Sequence, residues 1–112
     1  MLPKQYRVNK DKDFKIIFRN GRNFFIKEFG IKFLKNNLEI SRFGFIVSNK
    51  VAKKANKRNL IKRRLREIIR KNLLNFQTGF DVVIMARPEI KELKFSEMKE
   101  KIERALWQIK IL

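Results

Sequence analysis

Between Lys50 and Lys71 the chain carries eleven lysines and arginines against a single acid, Glu67. Ile61, Leu65, Ile68 and Ile69 recur through that run at i, i+4, i+7 and i+8, the spacing of one face of an α-helix. Such a segment has few ways to fold. The apolar stripe must be buried against a core, and the cations must then project from the other side. With the stripe turned inward at ~100° per residue, Asn59, Arg63, Arg66 and Arg70 lie outermost, flanked by Lys62 and Arg64. At ~1.5 Å rise per residue this row is roughly 16 Å long, several phosphate spacings. The forked donors of arginine fit phosphate oxygens bidentately. The ordinary fate of a charge run is a solvated face. Here, however, the like pairs Lys62/Arg66 and Arg66/Arg70 each cost a few tenths of a kcal/mol, and only Glu67 offers relief, toward Arg63 and Lys71. A polyanion is the natural counterpart.

The rest of the composition agrees. Across 112 residues, 29 basic side chains against 11 acidic ones give a net charge of +18, which repels itself unless an anionic partner completes the surface. Cysteine and histidine are both absent. That excludes disulfides, thiolate chemistry, the usual zinc sites and an imidazole acid or base. Catalysis by the protein would rest on carboxylates, Lys, Tyr6 or hydroxyls, and no cluster of carboxylates suited to two metals stands out. The chain is expected to bind no small-molecule substrate and to hold no cofactor by itself. No apolar run reaches the ~18 residues of a spanning helix, and residues 1–7 lack the core of a signal peptide. The expectation is a cytoplasmic protein with no membrane partner. With 44% hydrophobic residues and eleven Phe, residues 1–112 read as a single domain with one core, and the charge makes nucleic-acid binding its leading class.

Periodicity along the chain predicts the order α-β-β-β-α-β-α, an α+β fold built as a two-layer α/β sandwich. A first helix spans about Asn9 to Asn20, with Phe14, Ile17 and Phe18 at i, i+3 and i+4, Asn9 or Asp11 as cap and Gly21 as stop. Strand patterns follow at Phe24 to Ile26, Phe29 to Leu34 and Phe43 to Ser48, with a turn at Asn36-Asn37. The basic helix spans about Lys54 to Leu74. Phe80 to Ala86 contains a continuous apolar run typical of a strand buried on both faces. A last helix, about Phe95 to Lys110, places Phe95, Met98, Ile102, Leu106 and Ile109 on one side, with Trp107 assigned to the core.

A second candidate site is aromatic. If Phe29, Ile31, Phe33, Phe43, Phe45 and Val47 face the core, then Gly30, Lys32, Gly44 and Ser48 form an open, small and polar floor on the other face. Phe14 and Phe18 beside such a floor are candidate stacking platforms for unpaired bases. The plain alternative is that both rings are helix-to-sheet core. The acids of Asp11-Lys12-Asp13 are read as helix N-terminal charges, not a metal site. Glu97, Glu100 and Glu103 read as a solvated face paired with Lys99, Lys101 and Arg104, and Lys4, Arg7 and Lys10 as a basic arm that orders on RNA.

The stretch from Lys53 to Glu67 resembles the signature helix of the bacterial ribonuclease P protein family. Arg58-Asn59, Lys62-Arg63 and Arg66-Glu67 match its pattern in spacing, while Leu60 departs from the third position of the family's Arg-Asn-Arg triplet. Asp13-Phe14, Phe18 and Gly21, the segment Phe45 to Lys50, and the segment Asp81 to Pro88 extend the resemblance over nearly the whole chain. It implies a left-handed β-α-β crossover, although right-handed is the default. It also implies a subunit of the endoribonuclease that removes the 5′ leader of precursor transfer RNA, with the chemistry on a partner RNA that uses Mg2+. By the same resemblance, Lys54, Lys57, Arg58, Asn59, Lys62, Arg63, Arg64, Arg66 and Arg70 would bind the RNA subunit. Phe14, Phe18, Lys32, Ser48 and Lys50 would bind the leader of the precursor. The alternative is a general small basic RNA-binding or ribosomal protein without an enzymatic role.

Overall fold

A computed structural model describes residues 2–112. The helices are α1 (Asp11–Asn20), α2 (Ala55–Lys71) and α3 (Phe95–Gln108), and the strands are β1 (Arg22–Phe25), β2 (Phe29–Lys35), β3 (Arg42–Ile46) and β4 (Phe80–Ala86). This is the expected α+β order. The strands form one sheet in the order β1-β2-β4-β3. β1, β2 and β4 pair antiparallel, while β3 runs parallel to β4. The connection β3–α2–β4 is therefore a crossover between neighbouring parallel strands.

Strand alternation divides the sheet into two unlike faces. On the first face Phe29, Ile31, Phe33, Phe43, Val82 and Ile84 join Ile61, Leu65, Ile68 and Ile69 of α2 and Met98, Ile102, Ala105 and Leu106 of α3 in one continuous core. On the second face Val83 packs with Ile17 of α1 and Val8, and Phe14, Ile46 and Met85 close around them. Sheet and α2/α3 make the two expected layers; α1 adds a partial third over β2 and β4. β4 lies inside the sheet with α2 and α3 on one side and α1 on the other, which is why its apolar run does not alternate with polar residues.

Several element boundaries shift for local reasons. α1 begins at Asp11 with Lys10 in the cap position and no side-chain cap. Gly21 does end it, at an ordinary negative φ. Its Cβ-free backbone is needed because it passes against the Ile17 and Phe33 carbonyls. α2 stops at Lys71, short of Leu74, because the Asn72 side chain donates to the Ile68 carbonyl at 2.9 Å and to Glu103 at 2.7 Å. Leu74, in the short turn that follows, is fully exposed. Trp107 is 69% exposed and not core: at ~100° per residue it lies roughly 155° around α3 from the centre of the buried stripe. The amino-terminal arm packs on the domain: Leu2 is fully buried in the main core and Arg7 forms a β-bridge with Phe43.

Candidate nucleic-acid interface

α2 is placed by its apolar stripe, and the rest of its circumference follows. Lys54, Lys57, Asn59, Arg63 and Arg70 are exposed, while Arg58, Lys62, Arg64 and Arg66 are half-buried. Among the described residues, Lys54, Lys57, Lys62, Arg63 and Arg64 make no ion pair. Two others are engaged within the protein. The Arg58 guanidinium donates to the Ala52 and Lys53 carbonyls at 3.0 and 2.7 Å, so it holds the turn that leads into the helix. Arg70 donates to Glu67 at 3.0 Å, and the relief from Glu67 thus goes chiefly to Arg70, i+3, with a smaller Coulombic share to Lys71. This bond holds the Glu67 carboxylate below its ordinary range and Arg70 above its own. Arg66 is the unusual member. Burial lowers its pKa, and the charge of Arg7 adds to the effect. Arginine stays protonated in proteins, so this is a half-buried cation that feels the charge of a second cation, Arg7, a local arrangement that an approaching phosphate would stabilise.

The second face carries the aromatic site. Phe14 is half-buried, Ile17 is fully buried, and Phe18 is 38% exposed. Lys32 rises from β2 to Phe18, with Nζ 5.6 Å from the ring centroid and 3.4 Å from the Phe18 carbonyl oxygen. Ser48 and Lys50 are exposed on the turn just beyond β3. The floor itself is not open as expected. A Cβ built on Gly44 would lie 2.9 Å from Phe14 ring carbons, and one on Gly30 would lie 2.5 Å from the Phe25 ring. The two glycines make room for aromatic side chains of this chain, not for an RNA backbone. What stays accessible on this face is the side chains of Phe18 and Phe25, both exposed, with half-buried Lys32 beside Phe18.

One polar cluster escaped sequence reasoning. Arg42 of β3 donates to Asp81 of β4 through two nitrogens, at 2.9 and 2.7 Å, and its Nη1 lies 3.5 Å from Asp13 of α1. Asn36 donates to Asp81 at 2.9 Å and to the Ile40 carbonyl at 3.1 Å. The Asp81 bond raises the Arg42 pKa, opposed by partial burial. Asp13 is therefore more than a helix-dipole charge: it ties the start of α1 to the sheet and so positions Phe14 and Phe18. The only sequence signal was a charged residue opening an apolar strand, and its partner lies 39 positions away. On α3, Glu103 meets Lys99 and Glu100 meets Arg104, whereas Lys101 reaches Glu28 and Glu97 accepts the Lys94 backbone N–H.

Comparison with known proteins extends across the same surfaces. The ribonuclease P family model matches residues 2–110. The ribonuclease P protein component of Fusobacterium nucleatum is 38% identical over 94% of this chain and 97% of its own. That of Picosynechococcus is 34% identical over 98% and 95%. Among solved structures, the RNase P protein of Thermotoga maritima superposes with a TM-score of 0.82 at 34% identity, covering 91% of this chain and 96% of its own. A mutant RNase P protein of Staphylococcus aureus reaches 0.91 at 27% identity, covering 97% and 92%.

Proposed function

The chain belongs to the ribonuclease P protein family and is a protein subunit of that ribonucleoprotein endoribonuclease, and from this premise we propose that the two faces of its sheet serve two different RNAs. The outer row of α2 holds the catalytic RNA subunit through phosphates. The cleft beneath α1 holds the unpaired 5′ leader of precursor transfer RNA, with Phe18 stacking on a base and Lys32 meeting a phosphate. The observation that carries this reading is the division of surface chemistry: a row of cations along α2 in which, among the described residues, only Arg70 makes an ion pair, and an exposed ring beside a cation on the far side of the sheet. A general RNA-binding or ribosomal role is not favoured, because the family match runs the length of the chain.

The cleavage chemistry, and the Mg2+ it uses, belong to the RNA in this reading. The donor set of the protein supports that assignment. Among the described residues no three acidic side chains converge on a point where a metal ion would sit. Asp13, Asp81 and Glu67 are already committed to Arg42 and Arg70. Such residues do not fit a resident metal. Among the described residues no helix is long and apolar enough to cross a membrane, and the compartment proposed is the cytoplasm, where transfer-RNA precursors are processed.

The test is cleavage of a precursor transfer RNA with and without a bacterial ribonuclease P RNA, in Mg2+. The expected result is no cutting by protein alone and cleavage at the mature 5′ end by the reconstituted pair. Clean cutting at that position by rigorously RNA-free protein would overturn the assignment of chemistry to the RNA.

A further inference from the structure

β1 is an edge strand, and its register on β2 sets Phe25 opposite Gly30 and Asn23 opposite Lys32. Residues opposed in an antiparallel pair point to the same face. Phe25 therefore shares the second face with Lys32, and through Lys32 with Phe18. Its ring fills the space that a side chain at position 30 would occupy: a Cβ there would meet ring carbons at 2.5 and 2.6 Å and the Met85 methyl at 3.3 Å. One side of the ring thus rests on the β2 backbone beside Met85, and Phe25 as a whole remains 56% exposed, more than Phe18. Along β2, Gly30 and Lys32 are two residues apart, about 7 Å, comparable to the distance between successive phosphates of an extended strand. Phe25, Lys32 and Phe18 thus place an aromatic, a cation and an aromatic on one face of the sheet.

We propose that Phe25 is a second stacking platform of the cleft, taking a different unpaired leader base from the one that meets Phe18, with the intervening phosphate at Lys32. This rests on the reading of the cleft as the leader site. The chemistry is that of single-strand recognition, in which rings take bases and cations take the backbone between them. Gly30 is then a positioning residue, because any side chain there displaces the ring.

The experiment uses the holoenzyme and measures affinity for mature transfer RNA and for precursors with a series of leader lengths. Phe25→Leu keeps an apolar cover over Gly30 but removes the π-face; Phe25→Tyr keeps the ring. Phe25→Leu is expected to weaken precursor binding by about five-fold or more, only for leaders long enough to reach β1. Mature transfer RNA should be unaffected and Phe25→Tyr should bind like the parent. If Phe18→Ala weakens precursor binding while Phe25→Leu does not, the second platform is wrong and the leader cleft stands. If neither variant separates precursor from mature substrate, the cleft reading fails and takes this proposal with it. Equal losses for both substrates with a lowered melting temperature would make Phe25 a structural ring and overturn the proposal.

Discussion

Lys32 Nζ stands 5.6 Å from the centre of the Phe18 ring and 3.4 Å from the carbonyl oxygen of the same residue. A single cation from the sheet thus meets a ring and a backbone carbonyl in the last turn of α1. The helix C-terminal dipole favours a positive charge there, and the ring face attracts it as well. Nothing in this contact covers Phe18 completely. It leaves the ring oriented and exposed, which separates a stacking surface from a core phenylalanine.

Phe18→Ala should therefore weaken holoenzyme binding of leader-bearing precursor by roughly ten-fold, with little change for mature transfer RNA. The melting temperature of the free protein should fall only slightly, because Phe18 is exposed at 38% of its surface. A large fall in melting temperature with equal loss for both substrates would place Phe18 in the core.

Salt dependence should distinguish members of the α2 row. Arg63→Ala should flatten the log–log slope of RNA-subunit affinity against salt by just under one unit, on the order of one released counterion per phosphate contact. Arg70→Ala should flatten it less, since Glu67 already occupies that guanidinium. Slopes measured for the two single variants decide this, and equal effects would mean that RNA displaces Glu67.

Glu67→Gln carries the complementary expectation. Because Arg70 holds the Glu67 carboxylate below its ordinary range, the pair is intact at neutral pH and is lost only as acid titrates through that lowered value. The variant should free Arg70 and tighten RNA binding at pH 7, an effect that fades with added salt. At a pH low enough to protonate Glu67, parent and variant should converge.

Asp81→Asn should destabilise the free protein by about 1.5–3 kcal/mol, the range for hydrogen bonds to charged groups, because Asp81 is buried and meets Arg42 through two bonds. Denaturant titration measures it. The loss should also weaken leader binding, since Arg42 anchors α1 through Asp13.

Gly44→Ala should be costly despite adding one methyl. The new Cβ would stand 2.9 Å from the Phe14 ring and 3.2 Å from Val8, and overpacking of this kind costs about 1–3 kcal/mol. A neutral melting temperature would show that α1 can shift to accommodate it.

Much of this molecule was decided by consecutive residues. The helical spacing of Ile61, Leu65, Ile68 and Ile69 commits the remaining positions of α2 to a cationic exterior, and the alternation in β2 commits Phe29, Ile31 and Phe33 to one face. Both patterns are local, so neither depends on what the segment packs against. The lack of histidine and cysteine likewise ruled out whole classes of chemistry before any fold was known. The strand order β1-β2-β4-β3 decided the rest. It laid α1 on the second face, where Ile17 is buried and adjacent Phe18 is left half open, although the two are equally apolar in sequence. It joined Arg42 to Asp81 and brought the Phe14 and Phe25 rings over glycines that, by themselves, read as open floor. A glycine marks where a side chain is absent; which distant ring fills that space is a property of chain topology, because non-local neighbours are set only when the sheet has closed around them.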